Sequence, residues 1–439
     1  MVFDGVPKTW TVATIAEIAD AQRYSCVGGP FGSNLTRKDY VPHSAFPVLR
    51  GNNFSVDSRF VDADFVFVSS DKADTLKSNS AFRGDLIFTQ RGTIGGISLI
   101  PQSARFSTYI LSQNLMKLRP SPAKADPLFC YYVFRSPAMQ SFIQRNSIGS
   151  TIPGFNLTQL RETAIPLPPL AEQRRIAAVL GALDDKIELN RKMNRTLEQM
   201  AQAIFKSWFI DFDGHDPADL VESELGLIPR GWRIAHLGKL CSKIGSGATP
   251  RGGSDAYVDA GTSFIRSQNV YDFDFDWGGL VRLTDEDARQ LQGVTVEKDD
   301  VLLNITGDSI LRTCVVDPAV LPARVNQHVA IIRPKPPLAS SILHLHLVHP
   351  RMKAWLLGHS AGATRKAVTK GHLEGIPVLL PPDEELHQVG ASLAPMYAKR
   401  AANCAESRTL TTLRDTLLPK LISGEIRVPD AEATIAAAT

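Results

Sequence analysis

Pro166–Phe209 reads PLPPLAEQRRIAAVLGALDDKIELNRKMNRTLEQMAQAIFKSWF. A proline-rich entry opens onto an unbroken run with apolar residues at helical spacing, which predicts one long amphipathic helix from about Glu172 to Phe209. The stretch occurs twice. Leu160 pairs with Leu373, Pro168-Pro169 with Pro381-Pro382, Leu197 with Leu410, Ile204 with Leu417 and Trp208 with Leu421, each at an offset of 213. The chain is therefore two copies of one plan.

The segments before each helix also match. Pro7 and Trp10 answer Pro229 and Trp232 at offset 222, Arg50 and Asn53 answer Arg266 and Asn269 at 216, and Asp85 and Gly92 answer Asp300 and Gly307 at 215. Gln113 and Arg119-Pro120 answer Gln327 and Arg333-Pro334 at 214. The offset shrinks monotonically, as small loop deletions in a duplication would make it. Short β-rich runs in each copy (Phe65–Ser69, Asp85–Thr89 and Ile97–Ile100; Ser263–Arg266, Asp300–Asn304 and Val329–Arg333) and one helix at Pro127–Gln144 predict an α+β globule. The expected organisation is a globule at 1–165, a helix at 166–210, a linker at 211–229, a second globule at 230–380, a second helix at 381–424 and a C-terminal tail at 425–439, frayed after Pro429.

The two helices carry one seam. Ile176, Leu180, Leu183, Ile187, Leu197, Ile204 and Trp208 follow alternating steps of four and three, with Val389, Leu393, Met396, Leu410, Leu417 and Leu421 in the second copy. Two such helices can bury their seams against each other as a coiled coil. Asn190 and Asn403 share one seam position, where a buried register-setting residue and a solvated one are both open readings. Arg400 and Arg414 interrupt the second seam, and Pro395 inside it predicts a kink or late start. A helix of this length spans roughly 55 Å. The short segment 211–229 favours an antiparallel pair, hence two like globules on a rod related by a pseudo-two-fold axis.

With 439 residues, 44% hydrophobic and 21% charged, and a mean hydropathy of -0.07, the composition is that of an ordinary globular protein. No apolar run reaches membrane-spanning length and Met1–Tyr24 has no secretory pattern, so a cytoplasmic location is expected. Five scattered cysteines fit reduced thiols. A net charge of +3 permits nucleic acid as a partner without indicating it.

Catalytic signatures fall short. Gly247–Ser254 has phosphate-loop glycine spacing but Gly253 in place of the lysine. Asp272, Asp274 and Asp276 alternate like calcium ligands, yet Trp277 fills the turn-glycine position. His344, His346 and His349 lack a completing carboxylate or thiolate. No metal or catalytic residue is assigned. What remains are side chains able to read a polar surface: Arg50, Asn52 and Asn53 at one strand end, Arg266, Gln268 and Asn269 at the other, with Arg91 and Arg312 in comparable turns. Arginine and amides are the groups that pair with guanine and adenine edges in the major groove. Glycine-rich loops at 28–38 and 245–253 would let backbone approach phosphates, or are plain turn chemistry.

The globule, IPLPPLAEQRRI at 165–176, the long helix and SWFIDFDG at 207–214 together resemble the central repeat of the specificity subunit of type I restriction-modification systems. LGLIPRGW at 225–232 is similar to the start of that family's second target-recognition domain, and LRDTLLPKLISGEIRV at 413–428 to its distal repeat. The second copy departs from the first, with PPDEELHQ at 381–388 in place of the cleaner AEQ motif. The resemblance implies a non-catalytic subunit that reads a split site in double-stranded DNA, one half per globule. It implies two adenine-N6 methyltransferase subunits and restriction subunits as partners, with S-adenosylmethionine, ATP and magnesium on those partners and no cofactor on this chain. The other readings are a specificity subunit of a methyltransferase–nuclease fusion, one of a methylation-only system, and an enzyme with a cryptic site in one globule.

Overall fold

The computed structural model describes residues 6–55, 58–149, 154–359 and 367–438. The chain divides into two compact units, Met1–Leu189 with Glu406–Thr439, and Asn190–Ala405. Both divisions fall inside the long helices, Leu170–Lys206 and Asp383–Ser423.

In the first unit, Thr11–Thr14 pairs antiparallel with Ala164–Leu167, so the two ends of the globule meet just before the first long helix begins. A four-stranded antiparallel sheet has the order Cys26–Gly28, Leu115–Leu118, Leu86–Thr89, Ile97–Leu99. The second sheet has five strands in the order Tyr40–Val41, Val66–Val68, Phe46–Leu49, Tyr109–Leu111, Ser80–Ala81, of which only Phe46–Leu49 and Tyr109–Leu111 are parallel neighbours. Leu86–Thr89 and Leu115–Leu118 are buried at every position, Lys117 included.

The helix expected at Pro127–Gln144 is two helices, Pro127–Arg135 and Pro137–Asn146. Ser136 ends one through its N–H to Val133 O (3.2 Å) and starts the next by accepting from Met139 N (3.4 Å). Pro137, which has no N–H to give, stands at the first position of the second helix.

The second unit repeats this topology strand for strand. Arg233–His236 pairs with Pro377–Leu380. Cys241–Ser246, Val329–Pro334, Val301–Asn304 and Thr313–Val315 form the four-stranded sheet. Tyr257–Val258, Val281–Leu283, Thr262–Ile265, Ala323–Val325 and Thr295–Val296 form the five-stranded one, again with its single parallel pair at Thr262–Ile265 and Ala323–Val325. Residues 211–229, expected as a linker, contain the hairpin Leu220–Ser223 with Gly226–Pro229.

At the matched Asp–Arg positions the aspartate is interior and the arginine half-buried. Asp85, fully buried, takes both Nε (2.7 Å) and Nη2 (3.0 Å) of Arg119, and Asp300 takes the same two atoms of Arg333 at 2.6 and 2.9 Å. A second oxygen duty closes a turn, to Phe82 N in one unit and Glu297 N in the other. Two-point pairing and a full set of partners are what make a buried carboxylate tolerable.

Within the first unit Ile176, Leu180, Leu183 and Ile187 share one core with Leu410, Leu417 and Leu421. Asp184 meets Arg414 (2.8 Å) and Lys186 meets Glu406 (3.3 Å), so numbering rises on one helix as it falls on the other: the helices are antiparallel. Within the second unit Val389 and Leu393 share a core with Ala201, Phe205 and Phe209; Ile204, Trp208 and Met396 pack at its edge and Leu197 is only half-buried. Phe205 and Phe209 were absent from the seam because their partner is the globule: Phe209 meets Trp232 edge-on at 5.7 Å.

Asn190 and Asn403 are buried, not solvated; Asn190 Nδ2 donates to Asn403 O (3.5 Å) and Asn403 Nδ2 to Asn194 Oδ1 (2.9 Å). The second helix starts directly after Pro381-Pro382 and continues through Pro395, so the expected late start does not occur. Nor is the tail frayed. Val428–Ala438 is helical, Val428 and Ala431 join the first unit's core, and Arg427 pairs with Glu172 (2.8 Å).

Candidate nucleic-acid interface

Each strand end that carries the matched arginine turns sharply through one 3-10 turn, Gly51–Asn53 or Ser267–Asn269. The asparagine closes it. Asn53 Oδ1 accepts from Arg50 N (2.9 Å) while Nδ2 donates to Val61 O (3.2 Å) and Ala63 O (2.9 Å). Asn269 does the same with Arg266 N (3.0 Å), Asp276 O (2.9 Å) and Gly278 O (3.4 Å). At 1% and 0% exposure, neither can present its amide to a base. Asn53 and Asn269 are corrected from readers to clamps, because the amide that could match adenine is spent on the loop backbone.

The arginines are held but not buried away. Arg50 Nη2 donates to Asp64 O (3.0 Å), the oxygen that also accepts Asn52 Nδ2 (3.1 Å), and Arg266 Nη2 donates to Gly279 O (2.6 Å). Both guanidiniums are half-buried, and each Nε is buried without a hydrogen-bond partner. Asn52 and Gln268 are exposed beside them.

The first unit brings Arg50 and Arg91 to one cleft of about 570 Å³, with Tyr40, Thr89, Gln113 and Asn114. A second cleft of about 710 Å³ shares Arg91, Gln113 and Asn114 and is bounded by the glycine-rich loop, whose Phe31 is 84% exposed. Arg312 behaves differently from Arg91: it is half-buried and its guanidinium lies 4.3 Å over the Tyr271 ring. Gln113 and Gln327 were legible as a matched pair but not assigned to the site. Gln327 Oε1 accepts from Thr249 Oγ1 (2.7 Å) in the second unit's glycine-rich loop.

Those loops are glycine-rich for close backbone passage. A Cβ on Gly29 would sit 1.9 Å from Ser112 O, and one on Gly247 2.0 Å from Val325 O. No larger residue fits where the loop crosses the neighbouring strand end.

Among the described residues no group of three or more His, Cys, Asp or Glu side chains is placed to hold a metal ion. Asp272 pairs with Lys353 (2.5 Å) and accepts from Thr313 N (3.1 Å), and Asp276 accepts from Gly278 N (2.7 Å). His344 is a core residue between Tyr397 OH (2.7 Å) and Thr313 O (3.0 Å), and burial pushes its pKa down to about 4. His346 Nε2 lies 3.1 Å from Pro377 O. Lys117, among the matched strands, is buried with Nζ on Ser80 O (2.6 Å), and burial lowers its pKa while Asp85 opposes that. It is an interior cation, unable to meet a phosphate.

Residues 7–199 match the family model of the type I restriction modification DNA specificity domain. Over 97% of its length the chain is 26% identical to the type I restriction enzyme MjaIX specificity subunit of Methanocaldococcus jannaschii, covering 95% of that protein. It is 24% identical to the type I restriction enzyme HindI specificity subunit of Haemophilus influenzae, covering 93% of this chain and all of that one. Among solved structures, the S subunit of a type I restriction-modification system from M. genitalium superimposes with a TM-score of 0.62 at 18% identity, covering 95% of this chain and 96% of the other. At that identity the likeness speaks to the fold. No helix among the described residues is long and apolar enough to cross a membrane.

Proposed function

We propose, from the match of residues 7–199 to the type I restriction modification DNA specificity domain, that this protein reads a bipartite DNA target, one half with each unit. The observation that carries the reading is the duplicated turn: Arg50 and Arg266 leave equivalent strands and are set by the same asparagine clamp in units of the same topology. A guanidinium is the side-chain group whose paired N–H donors match guanine O6 and N7. Because the loops around the two turns differ in sequence, the half-sites differ and the target need not be palindromic.

In this reading the long helices hold the half-sites at a fixed distance and offer the platform for adenine-N6 methyltransferase subunits, to which restriction subunits add. The chemistry, with S-adenosylmethionine, ATP and magnesium, resides on those partners; this chain selects the sequence. The modest net charge of +3 suits a subunit whose partners share the phosphate contacts.

The test is the host methylome. A bipartite N6-methyladenine motif should vanish when this chain is deleted; no lost motif, or a contiguous one, refutes the function. Arg50→Ala should relax one half of that motif and Arg266→Ala only the other. An even loss across all sequences would make both residues phosphate contacts instead.

A further inference from the structure

The segment beyond each arginine turn, 59–64 in the first unit and 274–279 in the second, is fastened at two ends. At one end it receives the turn: Val61, Ala63 and Asp64 carbonyls accept from Asn53, Arg50 and Asn52, as the carbonyls of Asp276, Gly278 and Gly279 accept from Asn269 and Arg266. At the other end it reaches a long helix. In the first unit Arg59 forms an ion pair with Asp185 of the first helix. In the second, Asp274 lies 3.6 Å from Nη2 of Arg400 on the second helix, whose Nε is 2.8 Å from Glu198.

Arg59 and Asp274 stand 215 apart, the offset that also relates Asp85 to Asp300, so they occupy the same place in the repeat. The charges are exchanged: a loop cation on a helix anion in one unit, a loop anion on a helix cation in the other. In both pairs the arginine is the sheltered member (19% and 17% exposed) and the aspartate faces solvent (68% and 66%). An incidental surface contact has no reason to recur at the same place with both residues changed. What recurs is the tether.

The loop does not depend on the tether for its path. Arg59 O accepts from Leu99 N (2.9 Å) and Ser98 Oγ (2.6 Å), and Phe273 N donates to Thr313 O (3.1 Å). Removing an aspartate carboxylate therefore frees the loop from the helix and leaves it on the sheet.

We propose that Arg59–Asp185 and Asp274–Arg400 are positioning pairs, each fixing one base-reading arginine relative to the helices and so setting the stringency of one half-site. This rests on the assignment of Arg50 and Arg266 as base readers. The guanidinium hangs on a carbonyl of the tethered loop, so the aim of its N–H fork follows the loop's seat on the helix.

The test uses the full chain assembled with its partner subunits, with Kd measured at one salt concentration for the cognate duplex and for duplexes altered in either half. Arg50→Ala and Arg266→Ala identify which half each unit reads. Asp185→Asn should reduce discrimination in the first unit's half about threefold, the scale of a partly exposed ion pair, and leave the other half unchanged; Asp274→Asn should do the mirror image. Arg59→Asp combined with Asp185→Arg should restore discrimination. Unchanged discrimination in both variants, or equal weakening on every duplex, overturns the proposal. Absence of any sequence discrimination by the unaltered protein would instead sink the DNA-reading function, and the proposal with it.

Discussion

At the scale of single residues, one turn contains two kinds of work. Arg50 and Arg266 rest a half-buried guanidinium on a loop carbonyl, while Asn53 and Asn269 hold the turn from inside. Asn53→Ala should destabilise the first unit by about 2 kcal/mol, since buried carbonyls and an N–H lose their partner. Thermal unfolding would show a lowered midpoint, and discrimination in the first unit's half-site should fall, because the clamp sets Arg50. His344 supplies a pH signature. Its folded pKa is depressed to about 4 from 6.5, so the unfolded chain binds the proton first as pH falls. The stabilisation is complete above pH 6.5 and is lost between there and about pH 4, up to roughly 3 kcal/mol. His344→Gln should reduce the slope of that part of the second unit's stability profile by about half, since burial also lowers His346 to about 4. The arginines were legible because the duplication marks them twice. The asparagines were marked equally well and misassigned, because Arg-x-x-Asn is the pattern of a reader and of a capped turn alike, and only burial separates them.

At the scale of elements, periodicity carried far where an element buries a whole face and failed where it buries one or two residues. The long helices and the strands Asp85–Thr89, Asp300–Asn304 and Val329–Arg333 were readable from sequence because their apolar pattern is sustained. The C-terminal helix was not: of Val428–Ala438 only Val428 and Ala431 are buried, too few to rise above an Ala/Thr-rich background. Yet it is attached. Truncation after Ile426 removes that burial and the Arg427–Glu172 pair, and should cost the first unit roughly 2 kcal/mol by area, measurable as a drop in denaturation midpoint. A tail without a role would leave the midpoint unmoved. The break at Ser136-Pro137 and the hairpin at 220–229 escaped for a related reason: both are decided by capping and turn geometry over a few residues, not by a period.

At the scale of the whole molecule, the same strand order appears twice with little sequence in common, so the plan is kept while the loops diverge. If the helices set the separation of the half-sites, adding one four-residue turn to each helix, beside Asn190 and beside Asn403, lengthens each by about 6 Å. The unspecified gap in the methylated motif should then grow by one or two base pairs at 3.4 Å each. Both helices must be extended, since Asn403 and Arg400 are matched to Asn194 and Glu198 across the pair. A motif with an unchanged gap would refute that role for the helices.

The exchanged charges at Arg59 and Asp274 bear on inheritance. New specificities can arise by trading segments between related chains, and here the trade has a polarity. Moving only the loop of the first unit into the second would set Arg59 beside Arg400, cation against cation; the reverse graft would set Asp274 beside Asp185. Exchange of a globule together with its own stretch of helix keeps each lock with its key. Viable crossovers should therefore fall within the long helices, not at the edges of the reading loops.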